Sequence, residues 1–221
     1  MIQVALGSRR LGGVWAALVV IPLLLLIAVV VVWSHPRVSM LLSAGLWIAM
    51  MVYWSRPVQG APAVQRTESL ESRKAHQLLL SSGLLLLFVP VPILAARFLP
   101  DWPWLPAVGL GVQAGGVLLY VWARQCLGRL WSGEITIKKD HFLVASGPYR
   151  AVRHPMYTAI LAMCLGTTIV AGQYHALVGL GLGVYAYLRK IRIEEATLWQ
   201  QFGASYAEYR KSTRALIPWV A

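Results

Sequence analysis

The residue types that could do chemistry crowd into one run, Ser146-Gly147-Pro148-Tyr149-Arg150-Ala151-Val152-Arg153-His154-Pro155-Met156-Tyr157. It holds a turn, two guanidinium cations, an imidazole and two phenols. A plain connector has no use for that mixture. Glu194-Glu195 follow at the far end of the next apolar stretch. If that stretch folds back as a hairpin, the carboxylates return to the side of His154. An imidazole and a carboxylate pair could then bind a cation or move a proton. Each group also has a plainer reading: His154 as a helix-end residue, the tyrosines as interface anchors, and the glutamates as partners of Lys190 and Arg192.

The elements that must position these groups are apolar. The chain is 58% hydrophobic and 13% charged, outside the range of ordinary soluble domains. Long apolar stretches run over 14–33, 38–54, 77–96, 104–123 and 156–188. A helix spans a bilayer with roughly 20 apolar residues. The last stretch is too long for one span and is interrupted at Ala171-Gly172-Gln173-Tyr174-His175, so it predicts a tight helical hairpin. The expectation is an all-α integral membrane protein with about six transmembrane helices. A five-span alternative fuses the hairpin into one helix.

Charge placement favours six. With the N-terminus inside, every Lys and Arg except Arg37 and Arg97 falls on the cytoplasmic side, as the positive-inside rule requires. Both termini and the 124–155 loop are then cytoplasmic. The net charge of +12 orients the chain and meets anionic membrane lipid. The cations are spread over four loops and form no dense patch, which argues against nucleic acid. Ser8-Arg9-Arg10 before an apolar run has no cleavage site behind it and predicts an uncleaved first helix. Cys126 and Cys164 lie at or within helices, which argues against a structural disulfide. His35, His76 and His175 lie on different segments and predict no metal site.

Residues 1–103 are expected to hold three helices, with Ser55–His76 as a connector that includes a short helix from Glu68. Pro90 and Pro92 predict a kink. Residues 104–221 are expected to hold three more helices, the cytoplasmic loop and an amphipathic C-terminal helix. Its face of Leu198, Phe202, Tyr206 and Tyr209 suits the membrane surface, or a cover over a bound cofactor. Ile135-Thr136-Ile137 reads as a strand-like piece. The glycines near 109–116 and 179–183 suit close helix packing.

The pattern His141-x-Leu-Val-x-Ser-Gly-Pro-Tyr149-Arg-x-Val-Arg153-His154-Pro155-x-Tyr157, with Glu194-Glu195 and Phe202-Gly203-x-x-Tyr206-x-x-Tyr209, resembles the isoprenylcysteine carboxyl methyltransferase family. The resemblance covers roughly 120–220. It implies S-adenosyl-L-methionine as methyl donor. It also implies a donor site of His141, Phe142, Leu143, Val144, Tyr149, His154, Pro155, Met156, Tyr157 and Glu194. Lys190 stands where the family places a basic residue of the acceptor site, with Arg192 and Arg189 beside it. Glu195 or His154 would serve as base for an amine or thiol acceptor; a carboxylate needs none. Two positions depart from the pattern: Ala159 replaces a common glycine, and Lys190 a common arginine, which loses a bidentate grip on a carboxylate. The implied acceptor is a lipophilic small molecule or a lipidated substrate. The alternative is an NADPH-dependent membrane reductase, since sterol reductases resemble the same C-terminal core.

Overall fold

The computed structural model describes residues 38–60, 62–132, 136–138 and 143–218. The expected first helix, 14–33, lies outside them, as do His141 and Phe142. The order is α1 (Val38–Ser55), β1 (Val64–Thr67), α2 (Leu70–Phe88), α3 (Leu105–Leu127), β2 (Thr136–Lys138), α4 (Pro155–Ala171), α5 (Tyr174–Phe202) and α6 (Ala204–Ser212). Short 3-10 turns occupy Pro92–Leu94, Gly128–Leu130 and Gly147–Arg150. Two described helices, Val38–Ser55 and Leu105–Leu130, are long and apolar enough to cross a membrane; α4 is apolar but shorter.

The helices pack in two close pairs. α3 meets α4 where small residues let the backbones touch: a Cβ on Gly109 would lie 2.6 Å from Gly166 O. α2 meets α5 in the same way, since a Cβ on Gly179 would lie 2.6 Å from Gly83 O. The expected packing role therefore holds for Gly109 and Gly179. Gly111, Gly115 and Gly181 have open space beside them. Polar side chains tie α1 to both α3 and α4. Trp47 Nε1 donates to Thr167 Oγ1 at 2.9 Å, and Gln113 Nε2 donates to Ser43 O at 3.0 Å. Such bonds hold helices together where apolar contact gives little driving force. Trp47, Leu87, Phe88, Tyr120 and Met163 fill the core between them.

Three expectations are corrected. The fold is helical, and the strand-like piece read at 135–137 lies at Thr136–Lys138: β1 and β2 pair antiparallel, with Val64 opposite Lys138, Thr67 opposite Thr136 and a register shift between Val64 and Arg66. The Ser55–His76 segment is thus more than a connector, because it supplies the partner of the strand read at 135–137. Pro90 and Pro92 end α2 rather than kink it. The helix stops at Phe88, and the chain resumes as the Pro92–Leu94 turn. The C-terminal amphipathic helix is broken at Gly203, whose φ of +50° suits glycine alone. Tyr206 and Tyr209 face inward and are buried, not laid on a membrane surface.

The hairpin is as expected. α4 ends on Gly172 in the left-handed region (φ +65°), and α5 starts two residues later. α5 continues past its apolar part to Phe202. This overrun carries Lys190, Glu194 and Glu195 back to the start of α4.

Candidate functional site

His154 is the N-cap of α4, and Pro155 occupies the first helical position, where its missing N–H costs nothing. Glu194 and Glu195 sit near the end of α5, so each carboxylate meets the motif across the hairpin. Tyr157 Oη donates to Glu194 Oε2 at 2.6 Å. His154 Nδ1 lies 3.6 Å from Glu194 Oε2, and its Nε2 lies 3.4 Å from Glu195 Oε1. Both ring nitrogens thus face carboxylates, an arrangement that suits the doubly protonated imidazolium. The other oxygen of Glu195 lies 3.8 Å from Arg210 of α6.

The charges follow from this geometry. Burial opposes the charged form of His154, but bonds to Glu194 and then Glu195 outweigh it and raise the imidazole pKa. Burial likewise works against ionised Glu194, and the bonds and charge of His154 overcome it, so its pKa falls. Glu195 is pulled down to about 2: burial resists, and His154 and Arg153 prevail. Burial, then the Glu194 charge, pushes the Tyr149 phenol up. The site therefore holds a cation between two ionised carboxylates, with neutral phenols around it.

Aromatic rings line its floor. His154 stacks on Tyr157, centroids 5.4 Å apart and planes 4° from parallel. Tyr157 leans on Tyr187 at 4.8 Å, and Tyr187 meets His76 of α2 edge-on at 5.4 Å. Lys190 is buried, with Nζ 5.8 Å from the Tyr157 ring. Tyr149 is buried in its 3-10 turn, and its carbonyl accepts from Tyr209 Oη at 2.7 Å.

Of the expected residues, the structure brings together Tyr149, His154, Pro155, Tyr157, Lys190, Glu194 and Glu195. Leu143 and Val144 are half-buried on the approach to the Gly147–Arg150 turn. Met156 packs toward the helical core instead. Arg192 is exposed and lines a shallow hollow of about 300 Å³ with Tyr185, Leu188, Arg189 and Ile193. That hollow is not where the carboxylates meet.

Sequence reasoning missed four residues. Arg153 was quoted in the motif but given no role in the site, yet its Nε donates to Glu195 Oε1 at 2.7 Å. Tyr187 and His76 complete the ring row, and burial with the Lys190 charge lowers His76 to about 3. Tyr206 is fully buried beside the site, and its hydroxyl has no hydrogen-bond partner among the described residues. Arg153 and Tyr206 left a signal, their places in the motif pattern.

Residues 109–200 match the sequence model of the Isoprenylcysteine carboxyl methyltransferase (ICMT) family. The matched segment makes up less than half of the chain. A protein-S-isoprenylcysteine O-methyltransferase of Schizosaccharomyces pombe is 38% identical over 81 residues, covering 36% of this chain and 34% of its own. The B form from Arabidopsis thaliana is 29% identical over 120 residues (53% of this chain, 61% of its own), and the Xenopus laevis protein 30% over 120 residues (53% and 42%). The chain thus spans between a third and three fifths of the length of these relatives. The matched segment contains Arg153, His154, Tyr157, Lys190, Glu194 and Glu195. His76, Tyr206 and Tyr209 come from outside it.

Proposed function

We propose that this chain is a membrane-embedded methyltransferase that uses S-adenosyl-L-methionine and acts on a lipophilic acceptor, most simply the carboxylate of a lipidated cysteine. The observation that carries this reading is the meeting of His154, Tyr157 and Glu194 at one end of the α4–α5 hairpin, inside the segment that matches the ICMT family. The relatives that match are methyltransferases, which favours methyl transfer over the NADPH-dependent reductase.

The residues present fit the donor. Glu194 offers a carboxylate to its ribose hydroxyls or ammonium group. The Tyr157 and Tyr149 rings suit a sulfonium by cation–π attraction. Tyr206 holds a buried hydroxyl that needs a partner. The stretch from His141 to Val144 would complete the cradle. When bound, S-adenosyl-L-methionine supplies an electrophilic methyl group.

A carboxylate acceptor is already ionised near neutral pH, so the chain has no proton to remove. Its work is to hold, orient and exclude water, which accounts for much of the rate in such reactions. Lys190 is placed to hold the acceptor by charge. Glu195, ionised and held by Arg153 and His154, orients the imidazole rather than taking a proton. Arg192, on the outer face of α5, would act at the rim. The charge distribution supports six spans, with both termini and this site on the cytoplasmic face.

The test is methyl transfer from labelled donor to lipid-like and water-soluble acids, thiols and amines. The reading expects transfer to a lipophilic carboxylate, with Lys190→Ala raising its KM more than it lowers kcat. A preference for water-soluble acceptors would contradict entry from the bilayer.

A further inference from the structure

We infer that the segment after α6, Thr213 to Ile217, is a working part of the site: acting through Arg153, it sets the position of His154 between the two glutamates. Its effect on catalysis rests on the methyl-transfer reading; the contacts themselves do not. After α6 the chain turns back and lies parallel to the motif, with Val152 and Arg214 forming a bridge. Arg153 N donates to Arg214 O at 2.7 Å, His154 N to Ala215 O at 3.1 Å, and Arg214 N to Ala151 O at 3.4 Å. An N-cap N–H has no partner within its own helix. The backbone of His154 is therefore fixed by this C-terminal strap.

Side chains bind the same two segments. Arg153 Nη1 donates to Thr213 O at 2.6 Å while its Nε holds Glu195 Oε1 at 2.7 Å. One planar guanidinium thus grips a strap carbonyl and a site carboxylate together. Thr158 Oγ1 donates to Leu216 O at 2.7 Å, and Thr213 Oγ1 to Tyr209 O at 2.6 Å. The path continues to the Tyr149 carbonyl through Tyr209 Oη. A tail that merely covered an apolar face would bury its own apolar side chains. This one leaves Ile217 exposed and directs its carbonyls to Arg153, His154 and Thr158. The strap lies beyond the matched segment, which ends at residue 200.

Arg153 is on this account a positioning residue. Arg153→Lys keeps the charge, but an ammonium cannot span both partners in the same plane. Thr158→Val removes one strap bond at nearly constant volume. Both variants, and a chain ended after Ser212, are to be compared with the full-length protein by amide exchange at residues 153 and 154, melting temperature, donor affinity and kinetics. The expected result is faster exchange at both amides when the strap is removed. Arg153→Lys is expected to weaken donor binding about tenfold, the order for a lost charged hydrogen bond. Its melting temperature stays near that of the full-length protein, and its donor KM rises more than kcat falls. Slow exchange in the shortened chain, or Arg153→Lys and Thr158→Val both binding the donor as the full-length protein does, would overturn the inference. If the shortened chain does not fold, the two point variants decide. If the unaltered protein binds no donor, the methyl-transfer reading falls, and amide exchange still judges the strap.

Discussion

At the turn end of the α4–α5 hairpin, polar groups mostly satisfy backbone carbonyls; at the motif end, charged side chains also face one another. His175 Nδ1 donates to Leu86 O at 2.6 Å. That carbonyl would have accepted from residue 90 in a continuous helix, but residue 90 is proline and has no N–H. Gln173 Nε2 donates to Ala95 O at 2.8 Å, Arg97 Nη1 to Ala171 O at 3.4 Å, and Phe98 N to Gly172 O at 3.0 Å. Each of these bonds satisfies a carbonyl left over by a chain break. At the motif end, His154, Glu194, Glu195 and Arg153 form a chain of opposite charges beside a row of rings. The first arrangement closes a fold. The second keeps ionised groups side by side at a cost in desolvation, as the proposed donor site requires. Both ends hold histidines, so residue type alone does not separate them.

Substitutions can break this comparison, and the largest effect belongs to the motif end. Glu194→Ala is expected to weaken donor binding by about 1–3 kcal/mol, the range for losing a hydrogen bond to a charged group, and His154→Ala to act in the same direction. Isothermal titration of the purified variants checks both. At the turn end, His175→Phe leaves Leu86 O unsatisfied and is expected to cost stability by about 1–3 kcal/mol. Donor affinity measured below the melting transition stays unchanged. Loss of affinity with no loss of stability would erase the distinction between the two ends.

The pH dependence sharpens it further. Glu195 has its pKa depressed from 4.5 to about 2. Its contribution is present above pH 4.5 and is lost as pH falls through about 2. His154 has its pKa raised from 6.5, so its contribution is full below pH 6.5 and fades as pH rises through the folded-state value. The stabilisation by the cluster is therefore greatest between these limits. Glu195→Gln is expected to flatten the melting-temperature profile there, while His175→Phe lowers it without that change of shape. The smallest effect is expected from Arg192→Ala, which sits on an exposed rim; changes in stability of about 0.5 kcal/mol or less are usual for such surface sites. A large fall in donor affinity would instead place Arg192 in the site.

Much of this was legible in the sequence because it depends on local chemistry. Gly172 marks the turn, apolar length marks the arms, and the motif spacing places His154 and Tyr157 on the first turn of α4. The helix phase sets Arg192 apart from Lys190 and Glu194. Lys190 and Glu194 stand four apart and share a face, whereas two residues turn a helix by about 200°. Of the two readings of the Tyr206 and Tyr209 face, burial excludes the membrane surface; periodicity alone carries no trace of the break at Gly203. Arg153 and His76 escaped for another reason. Their partners, Thr213, Glu195 and Tyr187, lie far along the chain, and such contacts exist only once the helices pack. The Leu86–His175 bond likewise needs a carbonyl freed by Pro90 to meet a helix that begins much later.

The most direct test of the central claim is a paired titration of detergent-purified protein with S-adenosyl-L-methionine and with NADPH, on the unaltered chain, Glu194→Ala and His175→Phe. Saturable binding of S-adenosyl-L-methionine to the unaltered chain and His175→Phe, about tenfold or more weaker in Glu194→Ala, with no saturable binding of NADPH, is the predicted result. Saturable NADPH binding without S-adenosyl-L-methionine binding, or Glu194→Ala binding the donor as the unaltered chain does, would contradict it.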